Sequence, residues 1–485
     1  FRDGEHPYAE DLDLFGKGGL FELLSTCRTR SGEDTLARWL LAPAPAGVLG
    51  ERQQAVIELR HKLNLREDLG LLGEDLRTGS HPDALAAWAE APPVHMPARA
   101  WLGAAVLSLL MAGALIAWGR WPHGQEILLA MLAVNAGFGY TLRARVLHIL
   151  GHAEGAMHDL ALLSGVLQRL EQEQFSSPHL AKLRAELEAE GTPPSRRIAR
   201  LARLMEFVDS RYNLLVRMIG PPLLYSTHLA FAVEAWRRHS GASVRRWLDA
   251  VGEIEALSSL ASYSYEHPAD PFPEIVSGEV HFVAESMGHP LLPEARCVRN
   301  NLSLGGTTQI LIVSGSNMSG KSTLLRSTGV NAVLAMAGAP VRARKLVLSL
   351  LTVGASIRST DSLQGGTSRF YAEITRLRKL VDLAAGPLPL LFLIDELLNG
   401  TNSHDRRIGA QGVIKGLAAR GAIGLVTTHD LALTGIAADI GTKGANMHFE
   451  DHLENGKISF DYRIRPGVVQ KSNALELMRS IGLDV

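Results

Sequence analysis

Cysteine is nearly absent from this chain. The 485 residues hold only Cys27 and Cys297, too few and too widely spaced for a disulfide framework or a cysteine metal site. An excess of one charge is missing too. With 49 Lys and Arg against 50 Asp and Glu, the formal charge is -1, so the chain as a whole lacks the basic footprint of a nucleic-acid-binding domain. Internal repeats and low-complexity tracts are lacking, which sets aside solenoids and disordered linkers. Neither an initiator methionine nor a secretory signal pattern opens the chain at Phe1, and we read it as part of a longer, cytosol-facing protein. Its length leads us to expect about three domains.

What is present is a phosphate-binding pattern. Gly315 to Thr323, GSNMSGKST, follows the apolar run QILIV, as a strand leading into a glycine-rich loop would. In such a loop Gly315, Ser316, Asn317, Met318, Ser319 and Gly320 offer successive backbone N–H groups to phosphates. Lys321 reaches the β and γ groups, and the Ser322 hydroxyl binds Mg2+. From Thr323 onward the sequence predicts a helix whose positive end faces the anion.

A second element lies at Leu390 to Ile394, LLFLI, a continuous apolar run that ends in Asp395 and Glu396. The run predicts a strand buried on both faces. At its end, Asp395 would hold the Mg2+ shell and Glu396 would polarise the attacking water. A third run, AIGLVTTHD, is again strand-like and ends in His429 and Asp430. Alone, such a histidine is more often structural; beside the other two elements it is assigned to sensing the γ-phosphate.

These pieces, in this order, resemble the MutS family, whose ATPase belongs to the ABC-like branch of P-loop proteins. GSNMSGKST is similar to the family's GPNMGGKST, with Ser316 and Ser319 replacing proline and glycine. LFLIDELLNGTNSHD resembles its DEIGRGTSTxD element, which implies that Asp405 lies on a loop facing a partner subunit. TDSLQGGTSRFYAEI, Thr360 to Ile374, resembles DDLxxGxSTFMxE, which makes Ser368 the serine offered across a homodimer to the other subunit's γ-phosphate. Gly288-His289-Pro290 resembles the turn that opens the family's ATPase domain, and Asn300 falls on its nucleotide-side asparagine. The aromatic that commonly stacks on adenine is missing from its usual place, where Cys297 or Val298 is nearest.

The resemblance continues upstream. The segments from Leu12, from Glu51 and from Trp247 are similar to the family's lever helices. It implies an α/β P-loop (ABC-like) ATPase domain joined to an all-α lever domain, to which the residues themselves add an apolar helical hairpin. The expected division is 1–98 for the first lever part, 99–146 for a transmembrane hairpin, 147–275 for the returning helical lever and 276–485 for the ATPase. No counterpart of the repair members' mismatch-reading domain, with its Phe-x-Glu wedge, is expected within these residues. Phe272-Pro273-Glu274 spells that motif but lies in the linker to the ATPase.

The hairpin is the departure from the family pattern. Trp101 to Gly119 is a run of uncharged residues that would make a helix of about 28 Å, close to the ~30 Å of a bilayer core. Ile127 to Leu142 is also uncharged and would reach about 24 Å. Trp101, Trp118, Trp121 and Tyr140 fall near the ends, where amphipathic rings meet headgroups, and Arg99, Arg143 and Arg145 flank the outer ends against Arg120 in the turn. That bias keeps both ends cytoplasmic. A buried hairpin in a soluble arm is the alternative, but both runs are apolar all round, where a packed arm helix should show a polar stripe. A third apolar stretch, Met218 to Val233, is read as a buried lever helix, because a third span would put the lever segments on opposite faces. Between these runs, Arg196, Arg197, Arg200 and Arg203 predict a basic helical face for nucleic acid or anionic lipid; a solvated face is the commoner explanation.

The function expected is an ATP- and Mg2+-dependent dimeric motor of the mismatch-repair type, possessing a homodimer partner and double-stranded DNA as its further candidate partner. The alternative is a membrane-tethered mechanical ATPase acting on a protein, attached through 101–142 at the cytoplasmic face of a bacterial-type inner membrane rather than free in the cytoplasm. A non-hydrolysing sensor is disfavoured because Asp395 and Glu396 are both present.

Overall fold

The computed structural model describes residues 3–79, 82–97, 99–188, 191–210, 214–358, 369–398, 403–454 and 457–469. Among the described residues, eleven helices precede the first strand: α1 (Leu20–Leu24), α2 (Arg30–Leu41), α3 (Ala46–His61), α4 (Leu63–Gly79), α5 (Pro82–Glu90), α6 (Ala100–Trp118), α7 (Gly124–Gln172), α8 (Pro178–Glu188), α9 (Pro194–Asp209), α10 (Leu214–Ile219) and α11 (Tyr225–Glu266). Then follow β1 (Glu274–Val276), β2 (His281–Met287), β3 (Asn300–Gly305), β4 (Ile310–Ser314), α12 (Lys321–Ala337), β5 (Lys345–Ser349), β6 (Thr352–Ser356) and α13 (Arg369–Leu383). The chain continues through β7 (Leu390–Ile394), α14 (Ser403–Ala419), β8 (Ile423–Thr428), α15 (Ile436–Asp439), β9 (Gly444–Glu454) and β10 (Lys457–Pro466). Two compact units result: Phe1–Ser25 with Thr35–His61 and Leu257–Val485, and Thr26–Asp34 with Lys62–Ala256.

The first unit is built on two sheets, one ordered β1-β5-β2-β3 and the other β10-β9-β4-β8-β7-β6. In the larger sheet every pairing is parallel except that of the edge strand β10 with β9. The strands β4, β7 and β8 are buried along their whole length, which is why their sequences run apolar without alternation. On one face, Ile310, Ile312, Phe392 and Val426 pack with Leu380 of α13 and Ile414 of α14. On α12, Gly329 brings helix and strand together: a Cβ there would lie 2.6 Å from Leu12 and 2.7 Å from Leu393.

Leu12 reaches that core because the N-terminal stretch is tied to the sheet edge. The Ala355 N–H donates to Pro7 O at 2.9 Å, and the buried Asp11 carboxylate accepts the N–H groups of Ile357 and Arg358 at 2.8 and 2.6 Å. Burial raises the Asp11 pKa, against the pull of those two hydrogen bonds and of Arg376 and Arg358. Residues 1–98, expected to act as one lever segment, are thus divided between the two units.

The second unit is helical. Its α6 and α7 pack on each other, and the turn between them is so tight that a Cβ at Gly124 would lie 2.4 Å from Ala117 O. The helix α7 runs well past Leu142, changing from apolar all round to a one-sided pattern that buries Val146, Ile149, Leu150, Ala153, Leu160, Leu163 and Leu167. The stretch Met218 to Val233 is not the single buried helix expected. It is broken after Ile219, because Pro221 and Pro222 have no N–H to continue the ladder, and Met218 and Ile219 are exposed. The basic face of α9 is also narrower than its sequence suggested. Arg197 is buried with Ile198 and Leu201, its Nε donating to Thr192 O at 3.1 Å, while Arg196, Arg200 and Arg203 stay exposed.

Candidate functional site

Parallel register sets the site. Ser314 of β4 pairs with Thr428 of β8, and Ile394 of β7 pairs with Val426, so three strands end side by side at the edge where α/β sheets bind ligands. The loop Gly315–Gly320 leaves β4 there and turns into α12. Its turn needs left-handed backbone at Gly320, φ 106°, and at Met318, φ 69°, the second being an uncommon demand on a side-chain-bearing residue. Ser316, Asn317 and Met318 are exposed, whereas Gly315 and Ser319 are buried. The Ser319 hydroxyl has no partner among the described residues.

Lys321 opens α12 with its side chain folded back over the loop, Nζ donating to Gly315 O and Ser316 O at 2.8 Å each. Burial lowers its pKa, while the charges of Asp395 and Glu396 act in the opposite sense. Ser322 Oγ donates to Asp395 Oδ2 at 2.5 Å, and Thr323 follows on the exposed side of the helix. The end of β7 is held from β8: the fully buried Thr427 hydroxyl donates to Asp395 Oδ1 and accepts the Glu396 N–H at 3.1 Å. Glu396 itself adopts φ 51°, a left-handed conformation that costs about 1–3 kcal/mol unless its surroundings hold it. His429 Nδ1 lies 3.4 Å from Glu396 Oε1.

A cavity of about 830 Å³ opens over this group, lined by Asn317, Met318, Lys321, Ser322, Thr323 and Glu396 on one side and by Met287, Leu292, Val298, Asn300, Phe449 and Tyr462 on the other. That volume is within the ~300–1,000 Å³ usual for small-ligand sites. Hence Lys321, Ser322, Asp395, Glu396 and His429 come together across a hundred residues of sequence, with Asn300 on the rim. Asp405 does not line the cavity; it lies exposed in the first turn of α14. Ser368 falls outside the described residues.

Sequence reasoning missed the aromatic wall. Val298 does line the cavity, but rings come from the far end of the chain, Phe449 on β9 and Tyr462 on β10. Tyr462 sits in an irregularity between Phe460 and Ile464, where the register with β9 shifts, and takes φ 54°. A Cβ at Gly320 would be 3.2 Å from its ring, so the ring lies against the phosphate loop. Asn300 holds it there: Nδ2 donates to Tyr462 O at 3.0 Å, and Oδ1 accepts the Ile464 N–H at 2.9 Å. The only signal in the sequence is an aromatic among alternating residues, which reads as an ordinary strand.

A family model for MutS domain V matches residues 311–484. The DNA mismatch repair protein MutS of Natronomonas pharaonis is 31% identical over 241 residues, 48% of this chain and 27% of its own length. Endonuclease MutS2 of Thermus thermophilus is 36% identical over 197 residues, 40% of this chain and 25% of its own length. The DNA mismatch repair protein MutS 2 of Halobacterium salinarum is 31% identical over 234 residues, 47% of this chain and 27% of its own length. The chain thus matches only about a quarter of the length of these relatives. With the loop and the acidic strand end both inside that match, the chain belongs to the MutS family.

Proposed function

We propose that this chain is a MutS-type motor that binds ATP with Mg2+, hydrolyses it to ADP and phosphate, and works as a homodimer. The observation that carries this reading is the Ser322–Asp395 hydrogen bond of 2.5 Å between the phosphate-type loop and the acidic strand end. A hydroxyl and a carboxylate oxygen are the donors that a hard divalent ion takes, and the unpartnered Ser319 hydroxyl beside the loop N–H groups suits phosphate oxygens. Mg2+ would be held by Ser322 and Asp395 and would neutralise charge building on the phosphates. Lys321 contributes a buried positive charge, Glu396 accepts a proton from the attacking water, and His429 orients that carboxylate from 3.4 Å. Across the dimer, Ser368 and the α14 end with Asp405 would face the partner's nucleotide.

The relatives named for DNA mismatch repair extend the proposal to DNA as a partner. Changing Glu396 to Gln tests the motor: ATP should still bind while steady-state hydrolysis falls by about 10²-fold or more, the scale of losing a general base. Unchanged turnover would remove Glu396 from its role.

A second reading has its own observation. The helices α6 and α7 are long and apolar enough to cross a membrane, and only 28% and 11% of their most apolar windows are buried. Leu109, Ile116 and Tyr140 are 75%, 72% and 76% exposed. An outward face of this kind fits lipid, and the second reading is a motor tethered at the cytoplasmic face of an inner membrane through residues 101–142. Fractionation separates the two: a pellet resistant to salt and carbonate supports tethering, and soluble protein with DNA-stimulated hydrolysis speaks against it.

A further inference from the structure

We propose that Leu214–Val233 is a re-entrant membrane segment. In this arrangement α10 descends beside the α6–α7 hairpin, residues 220–224 turn at mid-depth, and α11 climbs back to the side from which α10 entered. The proposal rests on the reading of α6 and α7 as membrane helices and adds a third element to them.

Hydrogen bonds fix the depth. Ser108, near the middle of α6, donates from Oγ to Leu223 O at 2.8 Å and lies 2.9 Å from His228 Nε2. Asn135, near the middle of the apolar part of α7, donates from Nδ2 to Pro222 O at 2.6 Å. Both are polar side chains within runs otherwise suited to hydrocarbon, and both face the same turn. The turn satisfies its own N–H groups: Leu223 and Tyr225 donate, at 3.1 and 3.0 Å, to Gly220 O, and Leu224 donates to Pro221 O at 3.1 Å. Non-helical backbone is tolerated at membrane depth only where the protein itself supplies such partners, and Ser108 and Asn135 supply them to the carbonyls that the Pro-Pro break leaves over. Close approach is built in as well, since a Cβ at Gly139 would be 3.3 Å from Leu224.

The dimensions agree. Six residues of α10 rise about 9 Å, and half of the ~24 Å of apolar α7 is about 12 Å, so a short descending helix plus a turn reaches the middle and no further. Leu214 and Met218 are 71% and 68% exposed, giving α10 an outward apolar side. Arg217 stands about one helical turn, ~5.4 Å, above the break, from where its long side chain extends toward the headgroups. A re-entrant path also returns the chain to its starting side, which a third span would not.

The test uses the full chain in phosphatidylcholine–phosphatidylglycerol vesicles, with Cys297 replaced by Ser and the buried Cys27 left in place. Spin labels on single cysteines at Leu109, Leu129, Leu214, Ile219 and Ala235 report depth through collisions with oxygen against a water-soluble nickel chelate. The expected result is oxygen-dominated relaxation at 109, 129 and 219, an interfacial value at 214, and chelate-dominated relaxation at 235. An impermeant maleimide should reach cysteines at Arg99 and Ala235 from one side and at His123 from the other. Changing Asn135 to Leu should make the label at 219 shallower while that at 129 keeps its depth. Deep labels at 109 and 129 with a water-exposed label at 219, or Ala235 on the side of His123, would overturn the re-entrant path and leave the hairpin standing. Water exposure at 109 and 129 would overturn the hairpin, and the re-entrant segment with it.

Discussion

Replacing Tyr462 with alanine removes the ring that lies against Gly320 on the cavity wall, and the loss should fall on the base of the nucleotide rather than on its phosphates. Stacking of an aromatic ring on another is worth about 0.5–1.5 kcal/mol beyond burial, so ATP affinity should weaken by up to about tenfold. Tyr462→Phe keeps the ring and should bind nearly as the parent does. The Asn300 side chain makes two hydrogen bonds to the irregular turn of β10, one to Tyr462 O and one from Ile464 N–H, each worth roughly 1 kcal/mol net. Together they are comparable to the about 1–3 kcal/mol that the left-handed backbone at Tyr462 stores. Asn300→Ala should therefore release the turn and let the ring swing away, with a loss of ATP affinity matching that of Tyr462→Ala. Because both substitutions act through one ring, the double variant should be no weaker than Tyr462→Ala alone. Equilibrium binding of ATP and of inorganic tripolyphosphate by calorimetry reads all three, and tripolyphosphate affinity should not change. An additive double variant, or an equal loss for tripolyphosphate, would refute the coupling of Asn300 to a base-facing ring.

Two further substitutions concern stability. Gly329→Ala places a methyl within 2.6–2.8 Å of Leu12 and Leu393, and overpacking of this kind should cost about 1–3 kcal/mol, read as a lower denaturant midpoint with unchanged slope. His289 is buried, its Nδ1 accepting the Leu291 N–H at 3.2 Å, and burial with nearby Arg326 pushes its pKa down to about 4. Its folded value lies below the ordinary 6.5, so its contribution is fully present above about pH 6.5 and is lost as pH falls toward 4. The full effect is at most about 3 kcal/mol. Thermal melts between pH 7 and 4.5 should show this slope in the parent and a flatter one in His289→Asn, which retains an acceptor; equal slopes would remove His289 as the cause.

How much could be read beforehand follows from the range of each interaction. The strands β4, β7 and β8 and the loop between β4 and α12 were legible because burial on both faces leaves a continuous apolar signature, and phosphate binding demands glycine at fixed offsets. Where Asp395 meets Ser322 was legible only by analogy, since register between β4, β8 and β7 leaves no mark in any one strand. Tyr462 was not legible because its place on the cavity wall depends on a local irregularity in the pairing of β10 with β9, between Phe460 and Ile464. The apolar content of Met218 to Val233 suggests one helix, although Gly220-Pro221-Pro222 carries the opposite instruction, because proline offers no N–H to continue the ladder. Arg197 stands among basic neighbours in the sequence, yet its offset of one residue from Arg196 turns it about 100° toward Ile198 and Leu201. No local pattern could have announced Leu12 beneath Gly329, a contact between residues far apart in the sequence.

Thr427 joins the two acids at the end of β7 through one atom, giving a proton to Asp395 and taking one from the Glu396 amide. The Asp395 carboxylate and the Glu396 backbone therefore cannot move independently. A valine of equal shape would strip the inner oxygen of Asp395 and the amide behind Glu396 of their shared tether at a stroke, while serine would keep it. The ion-side carboxylate and the backbone behind the water-side one are in this sense a single mechanical part, joined by a hydroxyl that does not line the cavity.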